Sequence, residues 1–159
     1  MGSMEQDIGN LLKKRNLTLG VVESATGGLI SHRLTNVSGA SLYYKGSITA
    51  YSNEIKIKVV GVSVETISQY GAVSNQVAKE MAQGGRQTLD VDICIADTGI
   101  AGPTGATPGK PVGLFYIGLA DESGAYSQRH VFTGDREQNK RSAAEAALNW
   151  LKEYLTALV

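Results

Sequence analysis

A turn with two hydroxyl side chains and two glycines separates a predicted strand from a predicted helix. Thr18–Val22 is short, apolar and β-branched, which predicts a buried strand, and apolar residues recur at helical spacing from Leu29 onward. Ser24, Thr26 and Gly27–Gly28 lie between these two segments. Such a turn aims backbone N–H groups at one point, which suits an anion or a developing oxyanion. The alternative is that Ser24 or Thr26 only caps the helix and the glycines only allow close packing.

Lys56 is the candidate base for a Ser24 nucleophile. Ser52 or Asn53 can cap the helix that carries Lys56, so we expect this lysine in the first turn, where the helix dipole disfavours a cation. That field, together with burial, lowers the pKa of a lysine and makes the neutral amine accessible. A neutral lysine can take the proton of a serine where no histidine serves. The alternative is an ordinary solvated lysine.

Three further side chains are candidates for the same site. Tyr51 ends the strand before Lys56, where it either forms a hydrogen bond at the site or simply packs. Arg136 and Lys140 are one helical turn apart and share a face, which makes a phosphate site plausible. The alternative for this pair is a solvated helix face. The two histidines, His32 and His130, fit no catalytic spacing, and we interpret both as surface or structural residues.

The segment 97–111 is rich in glycine and proline and is predicted to be a long loop. Loops of this length in compact domains are usually functional or disordered. The segment matches neither the Walker phosphate loop nor the dinucleotide fingerprint, but it follows a predicted strand and could wrap a small ligand. The sequence contains no clustered metal-ligand motif, so we predict no metal site. It also lacks the G-x-S-x-G motif of triad hydrolases.

The hydrophobic periodicity predicts alternating strands and helices with one hairpin. This pattern predicts a three-layer α/β/α sandwich with a mixed sheet. The predicted strands are 18–22, 43–51, 91–96, 112–120 and 126–132. Three of the predicted helices span 5–15, 63–71 and 75–88. A further helix begins at 29, another is capped at 52 or 53 and ends at 61, and the last runs from 133 to about 158.

The composition indicates one globular domain of 159 residues, spanning 1–159, with 42% hydrophobic residues. The 15 basic and 15 acidic residues balance, so we expect neither a nucleic-acid nor a membrane partner. The single cysteine, Cys94, suits a reducing compartment, and the chain has no signal peptide or membrane-spanning run, so we expect a cytoplasmic protein. Residues 1–3 precede a second methionine, Met4, and resemble a cloning remnant outside the fold.

Five sequence blocks, taken together and in order, resemble the CinA C-terminal domain family, whose stand-alone members are nicotinamide-nucleotide amidases. The resemblance spans nearly the whole chain. The blocks are Glu23-Ser24-Ala25-Thr26-Gly27-Gly28, Tyr51-Ser52-Asn53-Glu54-Ile55-Lys56, Tyr70-Gly71-Ala72-Val73-Ser74, Thr98-Gly99-Ile100-Ala101-Gly102-Pro103 with Lys110-Pro111-Val112-Gly113, and Thr133-Gly134-Asp135-Arg136.

The resemblance implies an α/β fold, a three-layer sandwich with a mixed, mostly parallel five-stranded sheet. It also implies hydrolysis of nicotinamide mononucleotide to nicotinate mononucleotide and ammonia, without a cofactor. Ser24 matches the nucleophile and Lys56 its base, with Tyr51 close to both. The family usually has cysteine at Ala25, serine at Thr98 and, in many members, arginine at Lys140, a change that would lose a bidentate phosphate contact.

We therefore expect an amidohydrolase with a Ser24–Lys56 dyad and a small nucleotide as its substrate. The oxyanion would be held by backbone N–H groups around Thr26 and Gly27, and the phosphate and ribose by Arg136, Lys140 and the loop from Gly99 to Gly105. The complete set of expected substrate contacts is Thr26, Gly27, Gly28, Thr98, Gly99, Gly102, Arg136 and Lys140.

Two alternatives to this function stay open. The same pocket could bind a nucleotide in a non-catalytic or regulatory module, or it could hydrolyse another small amide. A homo-oligomer, a dimer or larger, is expected because most soluble oligomers are symmetric assemblies of one chain.

Overall fold

The computed structural model describes residues 2–158, which form an α/β/α sandwich around one five-stranded sheet. Met1 and the outer limits of the expected 1–159 domain lie outside these residues. The strands are β1 (Leu19–Glu23), β2 (Tyr44–Thr49), β3 (Ile93–Gly99), β4 (Leu114–Asp121) and β5 (Gly124–Val131). The helices are α1 (Met4–Arg15), α2 (Leu29–Thr35), α3 (Asn53–Lys58), α4 (Val64–Tyr70), α5 (Asn75–Leu89) and α6 (Arg136–Ala157), with a 3-10 turn at Ala40–Leu42.

The sheet has the strand order β2-β1-β3-β4-β5. β1 pairs in parallel with β2 and with β3, whereas β4 is antiparallel to β3 and to β5. Four of the five strands consequently point the same way, which confirms the predicted mixed, mostly parallel sheet. The predicted hairpin is also confirmed, with a two-residue turn at 122–123.

Two apolar clusters hold helices against opposite faces of the sheet. Side chains of α1, α2 and α6 cover one face, where Leu19, Val21 and Ile95 are buried. On the other face, α5 and the residues after α3 cover Val22 and Cys94. β1 is buried at all five positions because both of its faces are covered, which explains its continuous apolar run.

Several segment boundaries differ by a few residues from the sequence prediction; for example, β2 ends at Thr49 and not at Tyr51, and two of the other differences bear on the fold. Ser3, expected to lie outside the fold, caps α1: its hydroxyl accepts the N–H of Gln6 at 3.2 Å, and the Gln6 side chain accepts the Ser3 N–H in return. At the other boundary, β3 continues through Asp97, Thr98 and Gly99, which we expected in the loop. These residues pair with Ile117, Tyr116 and Phe115 of β4, a long-range contact that local composition does not encode.

No helix within residues 2–158 is long and apolar enough to span a membrane.

Candidate active site

A pocket of about 260 Å³ opens at the edge of the sheet where β1 and β3 end. This is the edge where open α/β sheets place their ligands. The pocket brings together most of the predicted catalytic and substrate-binding residues. Its lining includes Ser24, Ala25, Tyr51, Lys56, Ala72, Val73, Thr98, Gly99, Gly102 and Arg136.

The side chains of Ser24 and Lys56 meet in this pocket. The Nζ atom of Lys56 lies 2.9 Å from the Oγ atom of Ser24, and a second Nζ contact of 3.1 Å reaches the carbonyl oxygen of Tyr51. Lys56 is 2% exposed and Ser24 is 7% exposed. Burial lowers the pKa of Lys56, while the nearby Asp97 carboxyl partly opposes that shift. The arrangement places an amine that loses its proton readily beside a hydroxyl that could act as a nucleophile.

Of the two causes that we expected to lower the pKa of Lys56, the helix dipole and burial, burial is the larger one in the structure. The Ser52 hydroxyl caps α3 by accepting the N–H of Ile55 at 3.1 Å, as predicted. However, α3 has only six residues, and Lys56 stands in its last turn rather than its first. The Nζ atom nevertheless reaches back to the carbonyl of Tyr51, which precedes the N-cap Ser52, so the charge itself does not lie at the C-terminal end of the helix. Desolvation is the main cause of the lowered pKa.

Two buried carboxyl groups below the turn after β1 were not among the predicted site residues. Asp97 accepts the N–H of Ser24 at 3.0 Å and the N–H of Thr26 at 3.2 Å, and Glu23 accepts the N–H groups of Ile30 and Ser31. Both carboxyl groups are fully buried. Burial raises the pKa of Asp97 to about 6, against the opposing effect of its hydrogen bonds. The available signal was two acidic residues at the ends of apolar strands.

The expected oxyanion donors are already engaged within the protein. The N–H of Thr26 donates to Asp97, that of Gly27 to the carbonyl of Ser24, and that of Gly28 to Glu23. Thr26, Gly27 and Gly28 therefore support the turn instead of facing the pocket. Ala25 follows Ser24 and lines the pocket, and its N–H has no acceptor among residues 2–158. The N–H of the residue after a nucleophile is a common oxyanion donor, which makes the Ala25 N–H a candidate for this role.

The loop side of the pocket is built by the end of β3 and the residues after it. The Thr98 hydroxyl donates to the carbonyl of Ala72 at 2.8 Å, so it ties β3 to the segment before α5. At Gly99, a Cβ atom would lie 2.3 Å from the ring of Phe115, which explains why this position is glycine. The carbonyl of Gly102 faces inward and accepts a hydrogen bond from Arg136 at 2.9 Å.

The two cations on α6 lie in different places. Arg136 lines the pocket and donates to the Tyr51 hydroxyl at 3.1 Å, whereas Lys140 lies beside Gly27 on the far side of the turn. Lys140 belongs to a neighbouring depression together with Thr26, Gly27 and Gly28. The Tyr51 side chain is 61% exposed and its hydroxyl points to Arg136, so only the backbone of Tyr51 contacts the dyad.

Comparison with known proteins identifies the family of this chain. A family model described as the CinA C-terminal domain matches residues 1–155. The CinA-like protein of Salinibacter ruber is 48% identical over 154 residues, which are 97% of this chain and 37% of that protein. The CinA-like protein of Chloroherpeton thalassium is 47% identical over 158 residues, with 97% and 38% covered. The chain thus spans less than two-fifths of the length of these curated relatives.

Solved structures share the whole fold. A CinA superfamily protein from Klebsiella pneumoniae superposes with a TM-score of 0.94 at 30% identity, and the match covers 98% of this chain and 97% of that one. A competence or damage-inducible protein from Enterobacter asburiae gives a TM-score of 0.92 at 29% identity, with 96% of each chain covered. The family model, the two relatives and these structures agree over nearly the full sequence, and the chain therefore belongs to the CinA C-terminal domain family.

Proposed function

We propose that this domain is an amidohydrolase that converts nicotinamide mononucleotide to nicotinate mononucleotide and ammonia. One observation carries the proposal: the 2.9 Å contact between Lys56 Nζ and Ser24 Oγ, both buried at the floor of a small pocket. The pocket volume of 260 Å³ is close to the lower end of the usual range of about 300–1,000 Å³ for small-molecule sites, so the pocket suits a small ligand. The choice of substrate rests on the sequence resemblance given above.

In the first half of the proposed reaction, Ser24 Oγ forms a bond to the carboxamide carbon and passes its proton to the neutral Lys56 amine. The electron pair of the carbonyl double bond moves to oxygen, and we expect the N–H of Ala25, which lines the pocket, to donate to this oxyanion. The tetrahedral intermediate then breaks its C–N bond, and Lys56 returns the proton to the departing ammonia. An acyl ester on Ser24 remains.

In the second half, water attacks the acyl ester with Lys56 as the base. The C–O bond to Ser24 breaks, the hydroxyl recovers a proton from Lys56, and nicotinate mononucleotide leaves. Desolvation of Lys56 supports both halves, because the neutral amine is the form that starts each proton transfer.

Arg136 is the proposed phosphate ligand within the pocket. Its guanidinium stands at the pocket mouth and presents planar N–H donors, which suit a phosphate group. Lys140 contributes through the neighbouring depression, as a long-range positive charge on the other side of the turn. Thr98, Gly99 and Gly102 shape the wall that would face the ribose.

The decisive experiment measures ammonia release from nicotinamide mononucleotide by wild type, Ser24→Ala and Lys56→Met. We expect no detectable turnover for Ser24→Ala and a loss of about 10²–10⁴-fold for Lys56→Met, the usual contribution of a general base. Lys58→Met is the matched control, because Lys58 lies on the same helix but is exposed. Undiminished turnover in either dyad variant would exclude this mechanism.

A non-catalytic nucleotide-binding or regulatory module is the second candidate. The observation that favours it is coverage: the matched relatives are more than twice as long, so this domain could serve another part of a larger protein. Calorimetric binding of nicotinamide mononucleotide, with no ammonia released at high protein concentration, would support this alternative over the hydrolase.

A further inference from the structure

The Thr26 hydroxyl bridges the two buried carboxyl groups beneath Ser24. Its Oγ1 atom lies 2.7 Å from Glu23 Oε1 and 2.5 Å from Asp97 Oδ1. All three side chains are at most 1% exposed. A hydroxyl group carries one proton and can donate to only one of these oxygens. The other short contact therefore requires a second proton, held by one of the two carboxyl groups.

The backbone donors indicate which carboxyl group holds that proton. Glu23 accepts N–H groups from Gly28, Ile30 and Ser31, whereas Asp97 accepts only those of Ser24 and Thr26. A buried carboxylate needs such donors to offset the loss of water. Asp97 has fewer of them, so the hydrogen-bond chain runs from the Asp97 carboxyl to the Thr26 hydroxyl and on to the Glu23 carboxylate.

Asp97 is also coupled to the lysine of the dyad. The charged groups that act on it are Glu23 from β1 and Lys56 from α3, while its neighbour on β4 is the apolar Ile117. α5 covers the opposite face of the sheet. A negative Asp97 favours the charged form of Lys56, and a neutral Asp97 withdraws that support.

We propose that Asp97 is a positioning residue of the dyad. Asp97 holds the Ser24 backbone in place and shares one proton with Glu23 across Thr26. In this way Asp97 sets the pH range in which Lys56 is a free amine. This inference rests on the proposed function, because it assigns a role to Lys56 as a base. The negative charge of Asp97 favours the charged form of Lys56, so the ionisation state of Asp97 affects how readily Lys56 becomes the neutral amine that can deprotonate Ser24. The two residues titrate as a coupled pair.

The test follows the titration of Lys56 itself by NMR of protein labelled with [¹³C]lysine, with the Lys56 signal assigned from its absence in Lys56→Arg. Asp97→Asn mimics the protonated carboxyl, so we expect the Lys56 midpoint to fall by about one pH unit. Asp92→Asn is the matched control: Asp92 precedes the same strand, is exposed and contacts Thr18. An unchanged midpoint in Asp97→Asn would overturn the proposal.

A second pair of variants tests the bridge if Asp97→Asn does not fold. Thr26→Val removes the hydroxyl that links the two carboxyl groups, so the hydrogen-bond chain is broken and the Lys56 midpoint should differ from that of wild type. Thr26→Ser keeps the hydroxyl and should keep the wild-type midpoint. Equal midpoints in the valine and serine variants would refute the shared proton.

The NMR titration needs no substrate, so the two proposals can fail separately. A shifted midpoint in Asp97→Asn, with no ammonia released by wild type, would support the coupling and reject the amidase. Ammonia release by wild type, with equal Lys56 midpoints in wild type and Asp97→Asn, would support the amidase and reject the coupling.

Discussion

The guanidinium of Arg136 donates a hydrogen bond of 3.1 Å to the hydroxyl of Tyr51, 85 residues earlier in the chain. A second bond from the same group, 2.9 Å long, reaches the carbonyl of Gly102. The start of α6, the segment before α3 and the loop after β3 are thereby joined at the pocket mouth. Arg136 both holds the mouth in shape and presents a cation there.

Arg136→Lys should weaken substrate binding more than it slows the chemical step. Lysine keeps the charge but loses the planar donors that reach two acceptors and could grip a phosphate. We expect the KM for nicotinamide mononucleotide to rise about tenfold or more, because a hydrogen bond to a charged group contributes about 1.5–3 kcal/mol. Steady-state kinetics measure this change. Arg141→Lys, on the exposed side of α6 and paired with Glu137, is the control, and an equal KM in both variants would contradict the assignment.

The pH dependence of kcat/KM should report the Lys56 amine. Burial lowers the pKa of Lys56 below its ordinary value of 10.5, and only the neutral amine accepts the serine proton. The rate should therefore rise with pH as Lys56 loses its proton and fall as pH drops through that pKa. Ammonia release between pH 5 and pH 10 checks this expectation. A midpoint at or above the ordinary lysine value would show that another group controls the rate.

The stability of the domain should carry the signature of Asp97. Burial raises its pKa to about 6 in the folded protein from an ordinary value of 3.8, so the folded state binds the proton more tightly between these pH values. Folding stability from this group is greatest at low pH and is lost as pH rises toward 6. Relative to Asp97→Asn, wild type should lose on the order of 2–3 kcal/mol between pH 4 and pH 7. Urea unfolding at the two pH values measures the difference, and parallel curves would contradict the raised pKa.

Gly99→Ala should destabilise the protein through a collision with one ring. The added Cβ atom would lie 2.3 Å from Phe115, which is fully buried. We expect a cost of about 1–3 kcal/mol, typical of overpacking a core. The double variant Gly99→Ala with Phe115→Leu removes the ring edge, so part of the alanine penalty should disappear from a double-mutant cycle. Fully additive penalties would mean that the collision is not the cause.

Local sequence patterns predicted the frame of the site well. Three local signals predicted the short helix α3: the Ser52 cap, the apolar Ile55 and the glycine at position 61. That helix carries Lys56, the proposed base for Ser24 at the end of β1. The sequence also predicted β1 from its apolar run and α5 from the Ser74 cap and its apolar spacing, because caps and periodicity are properties of neighbouring residues.

The parts that failed depend on contacts between distant residues. The sequence pattern placed Asp97 at the start of a loop. Its pairing with β4 shows that it belongs to β3, and its side-chain bonds to Ser24 and Thr26 show that it supports the site. The predicted oxyanion donors, the N–H groups of Thr26 and Gly27, have acceptors within the protein. The Thr26 N–H donates to the distant Asp97, whereas the Gly27 N–H donates to the carbonyl of Ser24 in the same turn.

The reversal of direction between β3 and β4 has a consequence for how such domains diversify. Because β4 is antiparallel to β3, the intervening segment 100–113 leaves and re-enters the sheet at one edge, and the bonds Ile100 N–H to Leu114 and Gly113 N–H to Ile100, each 2.8 Å, clamp its base. Substitutions or length changes at its tip, around 104–109, leave that clamp and the Ser24–Lys56 pair untouched. Evolution and protein engineers can therefore change the residues that line this side of the pocket by altering one surface segment, while the Ser24–Lys56 pair stays in place.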